Sequence, residues 1–116
     1  MATAAAQQWL ALMDAQRYDD SYESAAGNLR EQMGPNDWRR LNRSVRAPLG
    51  AVSARRLAKV TGTTTVPNTP PGSYVVVEFE TEFDGGEAAT DQSARREVLV
   101  MTEENNAWRV RAYFVR

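Results

Sequence analysis

Arg46 and Arg55 are the side chains in this sequence best suited to recognition chemistry. They flank the turn-forming run Pro48-Leu49-Gly50. Each guanidinium presents a planar fork of donors that matches a carboxylate or phosphate. Two such forks beside one turn would clamp a small anion. The competing reading is structural, with the arginines bonding loop carbonyls or pairing with Asp14, Glu23 or strand glutamates. Tyr22 and Trp38, with Tyr18 and Trp9, form an aromatic set at helical spacing. They could line a pocket for a flat or apolar small ligand, or pack as core with their polar atoms bonded to backbone.

The chain contains neither cysteine nor histidine. That excludes disulfides, thiolate nucleophiles, Cys-ligated zinc and iron–sulfur clusters. It also removes the commonest metal ligand and the commonest general base. Catalysis would have to rest on carboxylates, tyrosine, lysine or arginine. Asp14 and Asp37 are the carboxylates that helices could carry toward an interior. Asp14 reads as a helix-end residue, and Asp37 as a first-turn residue favoured by the helix dipole. No catalytic residue is therefore assigned, and no cofactor or metal is expected.

Six arginines (Arg39, Arg40, Arg43, Arg46, Arg55 and Arg56) fall within eighteen residues. No aromatic stacking platform interleaves with them, so nucleic acid is not an expected partner. The 14 basic and 15 acidic side chains leave a net charge of −1, so no global field draws the chain to polyanions. No glycine-rich phosphate loop or metal-spaced acid cluster occurs.

The elements that must position these residues divide into a helical half and a β half. Trp9, Leu12 and Met13 mark a helix from Ala4 to about Gln16. A second stripe, Tyr18, Tyr22, Ala25, Ala26, Leu29 and Met33, marks one longer helix, in which Gly27 suggests close packing. A third helix starts near Pro35, with Trp38, Leu41 and Val45 on one face, and ends before Pro48.

Strands are expected over Ser53–Thr65, with a bend or bulge at Gly62, and over Ser73–Asp84, Arg95–Thr102 and Ala107–Val115. The second is the most regular: Val75, Val77, Phe79, Thr81 and Phe83 alternate with Tyr74, Val76, Glu78, Glu80 and Glu82, giving a dry and a wet face. Asp84-Gly85-Gly86 reads as a turn and 87–93 as a loose polar loop or a frayed strand start. In the last strand Trp108, Val110, Ala112 and Phe114 are expected to face inward. Its arginines would oppose the strand glutamates on the outer face.

The expected architecture is a single α+β domain over residues 1–116, with three N-terminal helices packed on a curved four-stranded antiparallel sheet. No run approaches the roughly 20 apolar residues of a membrane span, so no membrane insertion is expected. The opening MATAAAQQ lacks the basic and apolar regions of a signal peptide. It enters a helix abruptly, as a mature chain would after removal of a leader.

WLALMDAQRY with SYESAA (Trp9 to Ala26), W…VRAPLG…R.L (Trp38 to Leu57), P..PPGSYVVVEFETEF (Pro67 to Phe83) and the terminal WRVRAYFVR occur in this order. Together they resemble the bacterial family called domain of unknown function 4019, over nearly the whole chain. Ala112 departs from the glycine that the family's closing motif carries before Tyr-Phe. The resemblance implies a small exported protein, periplasmic or secreted, with no activity attached. The helix-then-sheet order is similar to the cystatin-like cone of the nuclear-transport-factor-two superfamily. That superfamily spans isomerases, dehydratases, ligand binders and dimerisation modules, so fold analogy alone chooses no function.

The expectation is a non-catalytic module that binds a small apolar or anionic ligand through Tyr22, Trp38, Arg46 and Arg55, or else a protein partner. The alternatives are a small isomerase- or hydrolase-like enzyme using Asp14 or Asp37, and a structural homodimer joined through its sheet faces by Arg–Glu pairs.

Overall fold

A computed structural model describes residues 1–85 and 94–116. Four helices precede four strands: α1 (Ala2–Asp14), α2 (Tyr18–Ser24), α3 (Gly27–Gln32), α4 (Pro35–Arg46), β1 (Val52–Thr63), β2 (Tyr74–Phe83), β3 (Ala94–Glu104) and β4 (Ala107–Val115). The strands form one antiparallel sheet in the order β1-β2-β3-β4. The reading of 87–93 as a loop, and the Gly86 end of the turn before it, lie outside the described residues. Among the described residues no helix is long and apolar enough to cross a membrane.

The dry face of β2 is the floor of the core. Val77, Phe79, Thr81 and Phe83 are buried, and Leu99 and Met101 of β3 lie beside them in register. Ala6, Trp9, Leu10 and Met13 of α1 cover this floor. Their spacing places them on one helix face, and alanine at the closest approach lets α1 sit low on the sheet. Beyond α1 the chain turns through Gln16, whose φ is +61°. The Arg17 N–H reaches the Leu12 carbonyl at 2.8 Å and closes the helix end. A left-handed residue other than glycine costs roughly 1 kcal/mol there.

The stretch Tyr18–Met33 is two helices, not the one expected. Ala25 and Ala26 are extended, with ψ of 166° and 152°. The Ala26 N–H bonds the Val110 carbonyl of β4 at 2.8 Å, and the Gly27 N–H bonds Glu104 Oε2 at 2.9 Å. These long-range bonds cap the β4 edge and override the helix preference of alanine. Gly27 thus marks the start of α3 rather than a close packing point. A Cβ there would meet Glu104 at an ordinary 3.5 Å.

On α4 the buried face is Trp38, Asn42 and Arg46, whereas Leu41 is exposed and Val45 half-buried. The expected Leu41 face loses because the surroundings of this helix are polar. The Asn42 amide donates to the Trp38 carbonyl at 2.8 Å, and Arg46 is drawn inward by Asp14.

β1 carries its register shifts around Ser53 and Ala58, while Gly62 pairs regularly with Val75. Both shifts fall on an edge strand, where bulges disfavour pairing with another chain. β4 also departs from the expected alternation. Val100 pairs with Ala112 but Met101 pairs with Val110, so Arg111 is an extra residue and the strand changes face there. Val110 is inward as expected, but Tyr113 is inward too, and Phe114 is turned outward at 52% exposure. Arg111 instead lies over the Tyr74 ring at 5.7 Å. The β3–β4 connection is a tight hairpin, with φ of +52° and +66° at Asn105 and Asn106.

Two loops meet where the sheet ends below α4. The Gly85 N–H bonds the Leu49 carbonyl at 2.8 Å, and Gly50 has φ of +81°. A Cβ on Gly50 would fall 2.5 Å from the Gly85 backbone. Gly50→Ala should therefore cost about 2 kcal/mol or more in urea unfolding, from strain and collision together. Gly62→Ala, which meets nothing within 4 Å, should be neutral or stabilise by about 0.5 kcal/mol. Equal losses in the two variants would contradict this account of the loop contact.

Candidate functional site

Six elements each send one polar side chain to a single point between the helices and the sheet. Asp14 is the last residue of α1 and Arg46 the last of α4. Arg55, Thr81 and Glu97 come from the inner faces of β1, β2 and β3, and Tyr113 from β4 after its bulge. Glu97 is completely buried. Its Oε1 accepts from Thr81 Oγ1 at 2.5 Å and Arg55 Nε at 2.8 Å, and its Oε2 accepts from Tyr113 at 2.5 Å. Arg55 then reaches Asp14 with both terminal nitrogens, at 2.7 and 3.0 Å. Arg46 joins the same carboxylate at 2.7 Å and stacks over the Phe83 ring at 5.2 Å.

Charge and burial oppose one another here. Burial alone would raise the Asp14 carboxyl, but hydrogen bonds and charge from Arg55 and Arg46 outweigh it and hold it below its ordinary 3.8. Burial likewise works against the charge on Arg55, and its bond to Asp14 and the Glu97 charge prevail to raise it. Tyr113 is pushed upward by burial and by the neighbouring Glu97 charge. Asp14 is therefore an ionised, weakly basic carboxylate. Glu97 is enclosed by donors and has no exposed surface.

The four residues read from sequence divide into two pairs. Arg46 and Arg55 are brought together, on Asp14. Tyr22 and Trp38 are in the core, where the Tyr22 hydroxyl donates to the Met33 carbonyl at 2.7 Å and Trp38 Nε1 donates to Ser21 Oγ at 3.1 Å. Trp9 packs edge-on against Tyr113, with ring centroids 5.3 Å apart, so the aromatic set buttresses the polar cluster. Asp37 lies on the surface and pairs with Arg40 at 3.1 Å. The sequence pattern does not disclose Glu97 or Tyr113 as site residues. The one trace of them in the sequence is Thr81, a hydroxyl in an otherwise apolar row.

Beside the cluster is a cleft of about 380 Å³, bounded by Met13, Asp14 and Gln16 at the end of α1, Tyr18 opening α2, and Arg43 and Arg46 on α4. Among these lining residues Arg46 Nε is buried without a hydrogen-bond partner, whereas Gln16 and Arg43 are exposed. Tyr18 and Arg46 are each only 6% exposed. Arg46 Nε is unpaired at that burial, which calls for an explanation. A second cleft, of about 330 Å³, opens between α1 and β4, but Arg109 at its rim is already bonded to the Ser24 carbonyl at 3.2 Å. Among the described residues no group of three or more acidic side chains is placed to hold a metal ion.

The chain belongs to the family described as protein of unknown function (DUF4019), whose model matches residues 5–113. No curated protein and no solved structure matches the chain.

The depressed Asp14 carboxyl fixes the sign of a pH effect. Its stabilising contribution is fully present above the unfolded value of 3.8 and is lost as pH falls through the lower folded value. Asp14→Asn should cost about 3 kcal/mol at pH 7 by stripping buried Arg46 and half-buried Arg55 of their partner. In denaturant unfolding the gap between wild type and variant should close progressively below pH 4. A gap of the same size at pH 3 and pH 7 would contradict the assignment.

Proposed function

We propose that this chain is a non-catalytic module that binds a small anionic ligand in the cleft beside Arg46. The observation that carries this reading is the exposed Arg43 guanidinium lining the cleft beside Arg46, whose Nε is buried and unpartnered next to an ion cluster that is otherwise satisfied. Ligand sites are concave, with a few convergent polar groups on an apolar frame. Here Met13 and Ala47 supply the frame. Arg43, Arg46 and Arg55 outnumber Asp14 and Glu97 by one, so the cluster and cleft together carry an unmatched positive charge.

The non-catalytic part of the reading rests on the carboxylates. Glu97 is sealed behind Arg55, Thr81 and Tyr113, and Asp14 is a weakened base held by two guanidinium groups. A general base needs a pKa near the working pH and access to its proton. Neither group combines the two. Four helices on one face of an antiparallel sheet support the cystatin-like reading of the fold, in which such modules are common. In this scheme Arg46 and Arg55 hold the site together, Tyr22 and Trp38 brace it from the core, and Arg43 makes the separable contact.

Arg43 is exposed and has no ion pair among the described residues, so Arg43→Ala should change stability by less than about 0.5 kcal/mol. Titration with acetate, followed by amide NMR shifts, should move residues 13–18 and 43–51. The variant should weaken that binding about tenfold. Shifts scattered over the surface, or unaltered binding by Arg43→Ala, would overturn the proposal.

A further inference from the structure

Asp14 lines the same cleft as Arg43, and the coordination of its two oxygens is unequal. Oδ1 accepts from both Arg46 and Arg55, at 2.7 and 3.0 Å, whereas Oδ2 accepts only from Arg55, at 2.7 Å. A carboxylate has about four lone-pair sites in all, so Oδ2 retains acceptor capacity. The side chain lines the cleft and is 29% exposed, so a donor in the cleft has a carboxylate oxygen with spare acceptor capacity beside it. The cleft therefore offers donors from Arg43, Tyr18 and Gln16, and an acceptor from Asp14, around one small space.

This pairing constrains the ligand. A bare anion would satisfy Arg43 and Tyr18 but would bring its charge toward an ionised carboxylate with nothing to bond it. A dianion would do so twice over, against a single unmatched positive charge. A monocarboxylate with a hydroxyl on the neighbouring carbon answers both demands: the carboxylate meets Arg43 and Tyr18, and the hydroxyl donates to Asp14 Oδ2. Resting on the anion-binding reading above, we infer that the cleft selects a small α-hydroxy carboxylate. Asp14 has two roles in this scheme, holding the arginines with three hydrogen bonds and receiving the ligand hydroxyl with a fourth.

Lactate and propionate differ by that hydroxyl alone, which makes them the probes. Each is titrated into the wild-type protein, with amide shifts giving affinity and the ¹³C shift of the Asp14 side-chain carboxyl giving position. Lactate should bind about tenfold more tightly than propionate, the increment expected of one hydrogen bond to a charged acceptor. The Asp14 carboxyl should move with lactate and stay still with propionate. In Tyr18→Phe both acids should weaken while the lactate preference persists. Equal binding of the two acids with an unmoved Asp14 carboxyl would overturn the hydroxy-acid inference and leave the anion-binding reading standing. If neither acid perturbs residues around the cleft, both fail.

Discussion

A glutamate with no access to water must be matched inside the protein, and that requirement organises this domain. Glu97 cannot keep its charge on the inner face of β3 without donors, because the desolvation of an ion costs several kcal/mol. Thr81, Tyr113 and Arg55 supply them. Arg55 then carries a half-buried positive charge of its own, which Asp14 meets from the end of α1, and Asp14 in turn recruits Arg46 from the end of α4. Each step answers the electrostatic debt left by the one before it. The result ties two helix ends to all four strands in one register, which an apolar contact of the same size would not specify.

The same requirement explains features that look local. α4 has a buried face of tryptophan, asparagine and arginine because its last turn must deliver Arg46 to Asp14. The bulge at Arg111 is needed because an unbroken alternation from Trp108 would turn Tyr113 outward, away from Glu97. The close contact of Gly50 with Gly85 brings the loop after α4 against the end of β2, within reach of Phe83, on which Arg46 stacks.

Much of the architecture is legible in sequence because periodicity reports burial directly. The alternation of β2, the apolar stripe of α1 and the two-asparagine hairpin are all of this kind. The break at Ala25–Ala26 is not legible: both residues favour helix, and the break is made by hydrogen bonds to β4 partners far away in sequence. The reversal of face in β4 is hidden for a similar reason, since Arg111 fits the outer row of a regular strand equally well. At the site, the residue types of Arg46 and Arg55 disclose their importance, and Asp14 is named among their partners. Glu97 is masked by the apolar run Val98–Met101 that follows it, which reads as a strand buried on both faces without marking which polar neighbour goes in with it. Which donors remain unpaired beside the cluster is a property of the finished packing alone.

The central claim is that the charge on Glu97 holds helices and sheet together. Equilibrium urea unfolding of Glu97→Gln tests it most directly, since glutamine keeps the shape while removing the charge and one of the two acceptor oxygens. The account predicts a loss of about 3 kcal/mol, the penalty for removing one member of a buried ion network, with helix and tertiary signals lost in one transition. A loss below about 1 kcal/mol would mean that the apolar core alone sets the register of the two layers.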